Sequence, residues 1–177
     1  MRRSTLVSLG LVGTWAIHDV EELLTMPQRS QGVASRMPTW LPIPEQVRRD
    51  GLSREAITTG VALMAGFMTA ASVDGVRSGG RGWFFQTVLA GYGLHGLGHL
   101  GSSAALRTYT SGAATSPVVV LPYWLWARRQ LRREGVLLRR VAGPAITLTP
   151  AVILAALAVG HALTRRSSPR MPHPSAG

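Results

Sequence analysis

Five long, mostly apolar stretches separated by clusters of arginine constrain the fold of this chain more than any other feature of its sequence. A helix needs about 20 predominantly apolar residues to cross the hydrocarbon core of a bilayer. We therefore predict an all-α fold in which residues 1–166 form a single domain, a polytopic bundle of about five transmembrane helices. The predicted spans are residues 4–25, 55–73, 83–106, 113–127 and 141–163.

The segments between and after these stretches are polar and rich in proline and arginine. Residues 26–54 predict an irregular loop along the membrane interface, with a short surface helix near residues 45–49. Residues 113–127 form the shortest stretch, and two prolines within it are expected to bend the helix or shift its start. Residues 167–177 have the composition of a disordered tail.

The composition excludes several classes of protein. Charged residues make up only 15% of the chain, against about 25% in soluble domains. The net charge of +11 comes from 19 basic residues, all of them arginine, but they lie in clumps that suit anionic lipid better than nucleic acid. The chain has no cysteine, which excludes a thiolate nucleophile or a cysteine zinc site. We expect the lipid bilayer as a partner, and no nucleic acid.

The positions of the arginines bear on two questions: whether the first stretch is a membrane helix or a signal peptide, and which side of the bundle faces the cytoplasm. Arg2 and Arg3 before an apolar run also fit a secretory signal peptide, but the possible cleavage site after Ala16 is a poor match. We call side A the side of the bundle on which the first helix begins, and side B the opposite side. The arginine-dense residues 128–140 fall on side A, which favours a cytoplasmic N-terminus.

The first predicted helix carries four ionisable residues within five positions. Ionisable groups inside a membrane span cost a few kcal/mol each and usually mark function. Helical offsets place His18, Glu21 and Glu22 on one face, while Asp19 points away and need not belong to the same site. This concentration of ionisable side chains predicts metal ligation or proton handling rather than ordinary interfacial contacts.

The third predicted helix carries His95 and His99, four residues apart. This is the spacing that two-histidine metal sites on helices use, because both rings then lie on one face. Tyr92 lies on the same face. Surrounding glycines would let a neighbouring helix approach closely.

The predicted depths of His18, His95 and His99 in the bundle are similar. His18 lies about 21 Å along its helix from side A, at 1.5 Å per residue. His95 and His99 lie at comparable depths in a helix that enters from the same side, and His161 lies somewhat nearer side B. The histidines and glutamates of the two helices are therefore expected to meet in one layer, with His161 at its rim.

The stretch His18-Asp-Val-Glu21-Glu22 resembles the defining motif of the HXXEE family, small bacterial integral membrane proteins that are mostly uncharacterised. The segment from His99 through Tyr109 and Gly112 to Thr115 is similar to the family's second conserved region, with Ser111 where proline is expected. The resemblance spans most of the membrane region. It implies location in a bacterial plasma membrane and supplies no reaction.

The leading hypothesis is a metal-dependent membrane enzyme, a hydrolase or an oxidative enzyme, acting on an apolar or lipid-like small molecule. His18, His95 and His99 would bind zinc or iron, and Glu21 or Glu22 would complete the shell. The remaining glutamate would act as general base toward water activated by the metal. No nucleotide cofactor is expected, because no phosphate-binding or dinucleotide motif is apparent.

Other interpretations stay open. The same His/Glu cluster suits a proton- or cation-coupled transporter, or a small membrane scaffold with a structural polar or metal cluster. Tyr92, Arg107 and Tyr109 are candidate substrate-binding residues; for Arg107 and Tyr109 the alternative is interfacial anchoring, and an anionic headgroup is a candidate ligand. A homo-oligomer is compatible with the sequence.

Overall fold

A computed structural model describes residues 2–41, 43–136 and 142–167, and within them the chain is all-α, without strands. The prediction of an all-α fold is confirmed. Most of the predicted tail, residues 168–177, lies outside the described residues. The elements are α1 (Arg3–Arg36), α2 (Glu45–Asp50), α3 (Arg54–Ser78), α4 (Trp83–Leu106), a π-helical turn (Ser116–Val120), α5 (Leu121–Arg133) and α6 (Ala142–Ser167).

The helices pack around α3 and α1. Helix α3 contacts α1, α4 and α6, while α5 contacts α1 and α4. Small residues allow these approaches, because a Cβ at Gly160 would collide with the carbonyl of Ala56 on α3, and one at Gly75 would lie 2.6 Å from the ring of Phe85. The core that results includes fully buried Leu11 on α1.

Helix α1 continues for 11 residues beyond its predicted end at residue 25, to Arg36. The prediction of an irregular loop over residues 26–54 is therefore wrong for its first part. Pro27 lies inside the helix, as bilayer and buried helices tolerate when neighbouring groups compensate. The chain then leaves α1 at Met37, and α2 forms where the sequence predicts a short surface helix.

The far end of α1 is held by one arginine of α2. The guanidinium of Arg48 donates four hydrogen bonds of 2.8–3.1 Å to backbone carbonyls in the last turn of α1 and just after it. The carbonyls of Ala34 and Pro38 also accept backbone N–H groups, so the guanidinium adds a charged donor at a helix end, where intrahelical partners run out. The acceptors are Ala34, Met37, Pro38 and Leu41.

The fourth apolar stretch becomes helical later than the predicted residues 113–127. It starts as the π-helical turn at Ser116 and continues as α5 to Arg133. Pro117 and Pro122 are the second residues of these two helical segments, and Pro117, in the first turn, lacks an N–H that would have no partner within the helix. The first four arginines of residues 128–140 therefore lie on α5. Residues 137–141 lie outside the described part of the chain.

The start of α1 is capped from the end of α5. Arg2 precedes the helix without a side-chain cap. The carboxylate of Glu134 instead accepts the backbone N–H groups of Arg3 at 2.6 Å and Ser4 at 3.0 Å. A carboxylate is favourable at this end of a helix, where unpaired N–H groups and the positive end of the helix dipole lie.

Two of the described helices are long and apolar enough to cross a membrane. They are α3 (Arg54–Ser78), in which an 18-residue stretch has a mean hydropathy of 1.6, and Gly143–Leu163 within α6, in which such a stretch has a mean hydropathy of 1.9. The other helices fall short by this measure. Length and composition thus mark two candidate spans, fewer than the five that the sequence predicts.

Candidate metal centre

Helices α1 and α4 bring three histidines and one glutamate together in the interior. Each helix contributes two residues four positions apart, so both side chains point to the facing helix. One ligand atom from each of the four lies within 4.8 Å of all the others, and this group could hold a metal ion. Its members are His18, Glu22, His95 and His99.

The distances among these atoms suit four-coordinate binding. The Nε2 atom of His95 lies 3.2 Å from Nε2 of His18 and 2.8 Å from Nε2 of His99. The Nε2 atom of His99 lies 3.3 Å from Oε1 of Glu22. Around a tetrahedral zinc with bonds of about 2.0–2.1 Å, ligand atoms are about 3.3 Å apart. Small adjustments would therefore place the four atoms around one ion.

A hydrogen-bonded chain orients the ring of His18. The hydroxyl of Thr115 donates to Oε2 of Glu21 at 2.5 Å, so its oxygen accepts from Nδ1 of His18 at 2.6 Å. A neutral His18 that donates through Nδ1 presents an unprotonated Nε2 to His95 and His99. This is the tautomer that a metal ligand needs, and such outer partners are typical of histidine metal sites.

Glu21 is not part of the four-residue group. It faces the segment between α4 and the π-helical turn and holds that segment by hydrogen bonds. Its carboxylate accepts the Tyr109 hydroxyl and the backbone N–H groups of Ala114 at 3.0 Å and Thr115 at 2.7 Å, besides the Thr115 hydroxyl. Burial, together with the bond to Glu21, raises the pKa of Tyr109, so the phenol remains a donor at neutral pH. The two glutamates of the motif thus have different neighbours.

The same segment packs against the histidine rings through a glycine. Gly112 has a φ of +84°, which glycine adopts without strain. A Cβ at this position would lie 2.7 Å from Cε1 of His99 and 2.8 Å from Cε1 of His18. The backbone of Ser111 also hydrogen-bonds to the His99 ring. Only a residue without a side chain lets this turn close over the site.

A mostly apolar cavity of about 250 Å³ opens beside the group, between α1, α3, α4 and α6. Glu22 and His95 belong to both the cavity wall and the metal-binding group. Asp19, which is 5% exposed, lies on the same wall. The interpretation of Asp19 as a residue that points away from the site therefore needs revision, because the side of α1 that carries Asp19 also faces the cavity.

The structure separates the candidate substrate-binding residues. Tyr92 lines the cavity, while Tyr109 donates to Glu21 and lies under the guanidinium of Arg29, 5.6 Å from its ring centre. Arg107 is exposed and ends α4 in a left-handed conformation with φ 48°. His161 lies on α6 and is not a member of the four-residue group.

Two residues of this site were given no site role in the sequence analysis. Thr115, which links Glu21 to His18, entered only as the end of the segment that resembles the family's second conserved region. The spacing of Asp19 could have indicated its place on the cavity wall. It shares one face of α1 with other cavity residues at intervals of three and four positions, namely Trp15, Glu22 and Met26.

These features define a class: an all-α protein whose described part encloses a three-histidine, one-glutamate group beside an apolar cavity. The sequence profile of a family described as "protein of unknown function with HXXEE motif" matches residues 9–127. The match covers more than half of the chain, and the chain belongs to this family. No curated protein and no solved structure matches it. The family resemblance of His18, Glu21 and Glu22 is thereby confirmed.

Proposed function

We propose that this protein is an integral membrane, metal-dependent enzyme that acts on an apolar or lipid-like substrate. The convergence of three imidazole Nε2 atoms and one carboxylate oxygen from α1 and α4 carries the proposal. A proton on Nε2 of His95 can bridge to His18 or to His99 but leaves the other lone pair unshared, whereas a bound cation would use all four groups.

The outer surfaces of the other helices support five membrane spans. On α1, Leu9, Ile17 and Val20 are more than half exposed, while His18, Asp19 and Glu22 are buried. Polar residues that lower the hydropathy of α1 thus face inward, and the outward face is apolar. Leu97 on α4 and Leu125 on α5 are likewise exposed. Apolar surface of this extent is what a bilayer would cover.

The donor set of three imidazoles and one carboxylate suits zinc or iron. When bound, such an ion acts as a Lewis acid toward a carbonyl or similar oxygen. Glu22 serves as a ligand, and Glu21 positions His18 through Thr115. Asp19, the other carboxylate on the cavity wall, is the group that we assign to proton transfer with the substrate.

The cavity lining favours an enzyme over a transporter. A proton or cation path needs polar groups toward both sides of the bundle. Asp19, Glu22 and His95 are the ionisable residues of the cavity wall in the described part of the chain, and most of the remaining wall is apolar. The site therefore suits an apolar molecule with one polar group.

Metal content tests this proposal. Detergent-purified protein is analysed by inductively coupled plasma mass spectrometry as wild type, His99→Ala and Glu22→Gln. We expect near-stoichiometric zinc or iron in the wild type and its loss in His99→Ala. His161→Ala is the matched control, because it removes a histidine outside the group and should retain the metal.

Two results would contradict the proposed metal centre. A folded wild-type protein that contains no metal and takes up neither added zinc nor added iron would overturn the metalloenzyme. Metal bound with equal affinity by wild type and His99→Ala would place it somewhere else in the chain.

A further inference from the structure

The cavity runs along the helix axes rather than across the bundle. Each of its four helices contributes residues at intervals of three or four positions, which is one continuous stripe per helix. On α4 the stripe extends from Trp83 to His95, and on α3 from Ile57 to Met68. A compact pocket would touch each helix over one or two turns only.

The dimensions of the cavity indicate a thin ligand. From Trp83 to His95 the helix rises about 18 Å, at 1.5 Å per residue. The volume of about 250 Å³ lies below the usual range of pockets for compact small molecules. A volume this small, drawn out over such a length, leaves room for one extended chain rather than for a ring system or two chains side by side.

The polarity of the cavity is uneven along its length. Asp19, Glu22 and His95 lie in the half nearer side B, and Tyr92 lies on the same wall close to them. The half nearer side A is lined by aromatic and aliphatic side chains, including Phe67 and Phe84. A ligand with a polar head and an apolar tail therefore fits in one direction only.

We infer that the cavity binds a single unbranched acyl chain, with its carbonyl head beside Glu22, Tyr92 and His95 and its methyl end toward Phe67 and Phe84. An extended chain of about 16 carbons matches the length, since three backbone bonds span about 3.5 Å. This inference rests on the proposed function and names its substrate class. The acyl head reaches the metal-binding group, because Glu22 and His95 belong to both.

Photo-cross-linking tests the position and the direction of the chain. Protein in lipid nanodiscs is exposed to a straight-chain fatty acid that carries a diazirine either beside the carboxyl group or near the methyl end. Labelled residues are then mapped by mass spectrometry. We expect the first probe to label the surroundings of Glu22 and Tyr92, and the second to label those of Phe67 and Phe84.

Two substitutions on α3 provide a matched pair. Val61 lines the cavity, and Val61→Phe narrows it; Leu63 is 46% exposed on the outer surface, and Leu63→Phe leaves the cavity unchanged. Labelling inside the cavity should fall at least tenfold in the first variant and persist in the second. If Val61→Phe does not fold, Val152→Phe narrows the cavity from α6. The set of residues labelled in the wild-type protein tests the inference without either variant.

The outcomes separate this inference from the proposed function, because metal content is measured on the same samples. Labels confined to outward residues such as Leu63 and Leu97, or a reversed direction of the chain, overturn the acyl-chain site even when metal is present. Cavity labelling in a protein without metal supports the acyl-chain site and overturns the metalloenzyme. Labelling that Val61→Phe leaves unchanged in a folded protein also overturns the site.

Discussion

The adjacent glutamates of the HXXEE motif have separate tasks because a helix turns about 100° per residue. Glu22 lies with the histidines, whereas Glu21 accepts donors from the segment after α4. Among the described residues, hydrogen bonds connect the Glu21 carboxylate to the ring of His18 through the Thr115 hydroxyl. In the proposed metal centre, the motif therefore supplies one ligand histidine, one ligand carboxylate and one carboxylate that positions the histidine.

This arrangement predicts the effect of removing one hydroxyl. Thr115→Val keeps the shape of the side chain but breaks the link between Glu21 and His18, which frees His18 to adopt the other tautomer. We expect affinity for zinc or iron to fall about 10- to 100-fold, as for other outer partners of metal-ligating histidines. Competition with a chelator of known affinity measures the change.

Thr115→Ser, which retains the hydroxyl, should restore most of the affinity. Thr58→Val makes the same chemical change on an exposed part of α3 and should have no effect. Equal affinities for Thr115→Val and wild type would show that the hydrogen-bonded chain does not control the ligand.

At the scale of single residues, the sequence predicts ligands better than their supports. Histidines spaced four apart inside apolar helices are conspicuous, and the structure brings His18, His95 and His99 together. Thr115 could not be found in this way, because threonine is common near helix starts and its role depends on Glu21, 94 positions earlier. A supporting residue becomes visible only when distant segments have been placed side by side.

At the scale of helices, the ends were harder to predict than the interiors. A proline usually ends a predicted helix, yet α1 passes through Pro27 and ends 9 residues later. The energy that stabilises this extension comes partly from Arg48, whose four bonds to carbonyls link the end of α1 to α2. Such contacts cross from one element to another, so the local sequence of α1 contains no sign of them.

The beginning of α1 provides a prediction about pH. Hydrogen bonds from Ser4, both from its side chain and from its backbone, together with the backbone N–H and charge of Arg3, lower the pKa of Glu134 below its ordinary 4.5. A lowered pKa in the folded state stabilises the protein above pH 4.5, and this contribution is lost as the pH falls through the folded pKa. Glu134→Gln should therefore lower the thermal unfolding midpoint at pH 7, and the difference from wild type should shrink below pH 4.5.

Unfolding midpoints of both proteins across this pH range provide the measurement. Glu45→Gln serves as the control, because Glu45 is exposed on α2 and lies away from the start of α1. A difference between wild type and Glu134→Gln that is independent of pH would contradict an ionic cap.

At the scale of the whole molecule, the number of membrane crossings is the central question. The five-span arrangement places the connections on either side of α4 on opposite sides of the membrane. If only α3 and α6 cross, both connections lie on the same side. Because the chain has no cysteine, Arg81→Cys and Thr108→Cys each introduce one unique thiol, and Gln46→Cys marks side B in both arrangements.

Labelling of intact cells and of opened membranes with an impermeant maleimide distinguishes the two arrangements. We expect Thr108→Cys to share its accessibility with Gln46→Cys and to differ from Arg81→Cys. Matching accessibility of residues 81 and 108 would show that α4 does not cross and would overturn the five-span arrangement. Composition alone could not decide this, because the inward ionisable residues of α1 lower its mean hydropathy although its outer face is apolar.

The partners of α1 lie far along the chain, and this has a consequence for how the protein is made. His18 meets His95 across 77 positions, and the start of α1 meets its cap, Glu134, across about 130. During synthesis α1 precedes α4 and α5, so in the proposed membrane bundle its histidine and carboxylates first lack these partners, and each charge inside a bilayer costs about 3 kcal/mol. If α1 spans the bilayer as proposed, its stable insertion depends on the later arrival of α4 and α5.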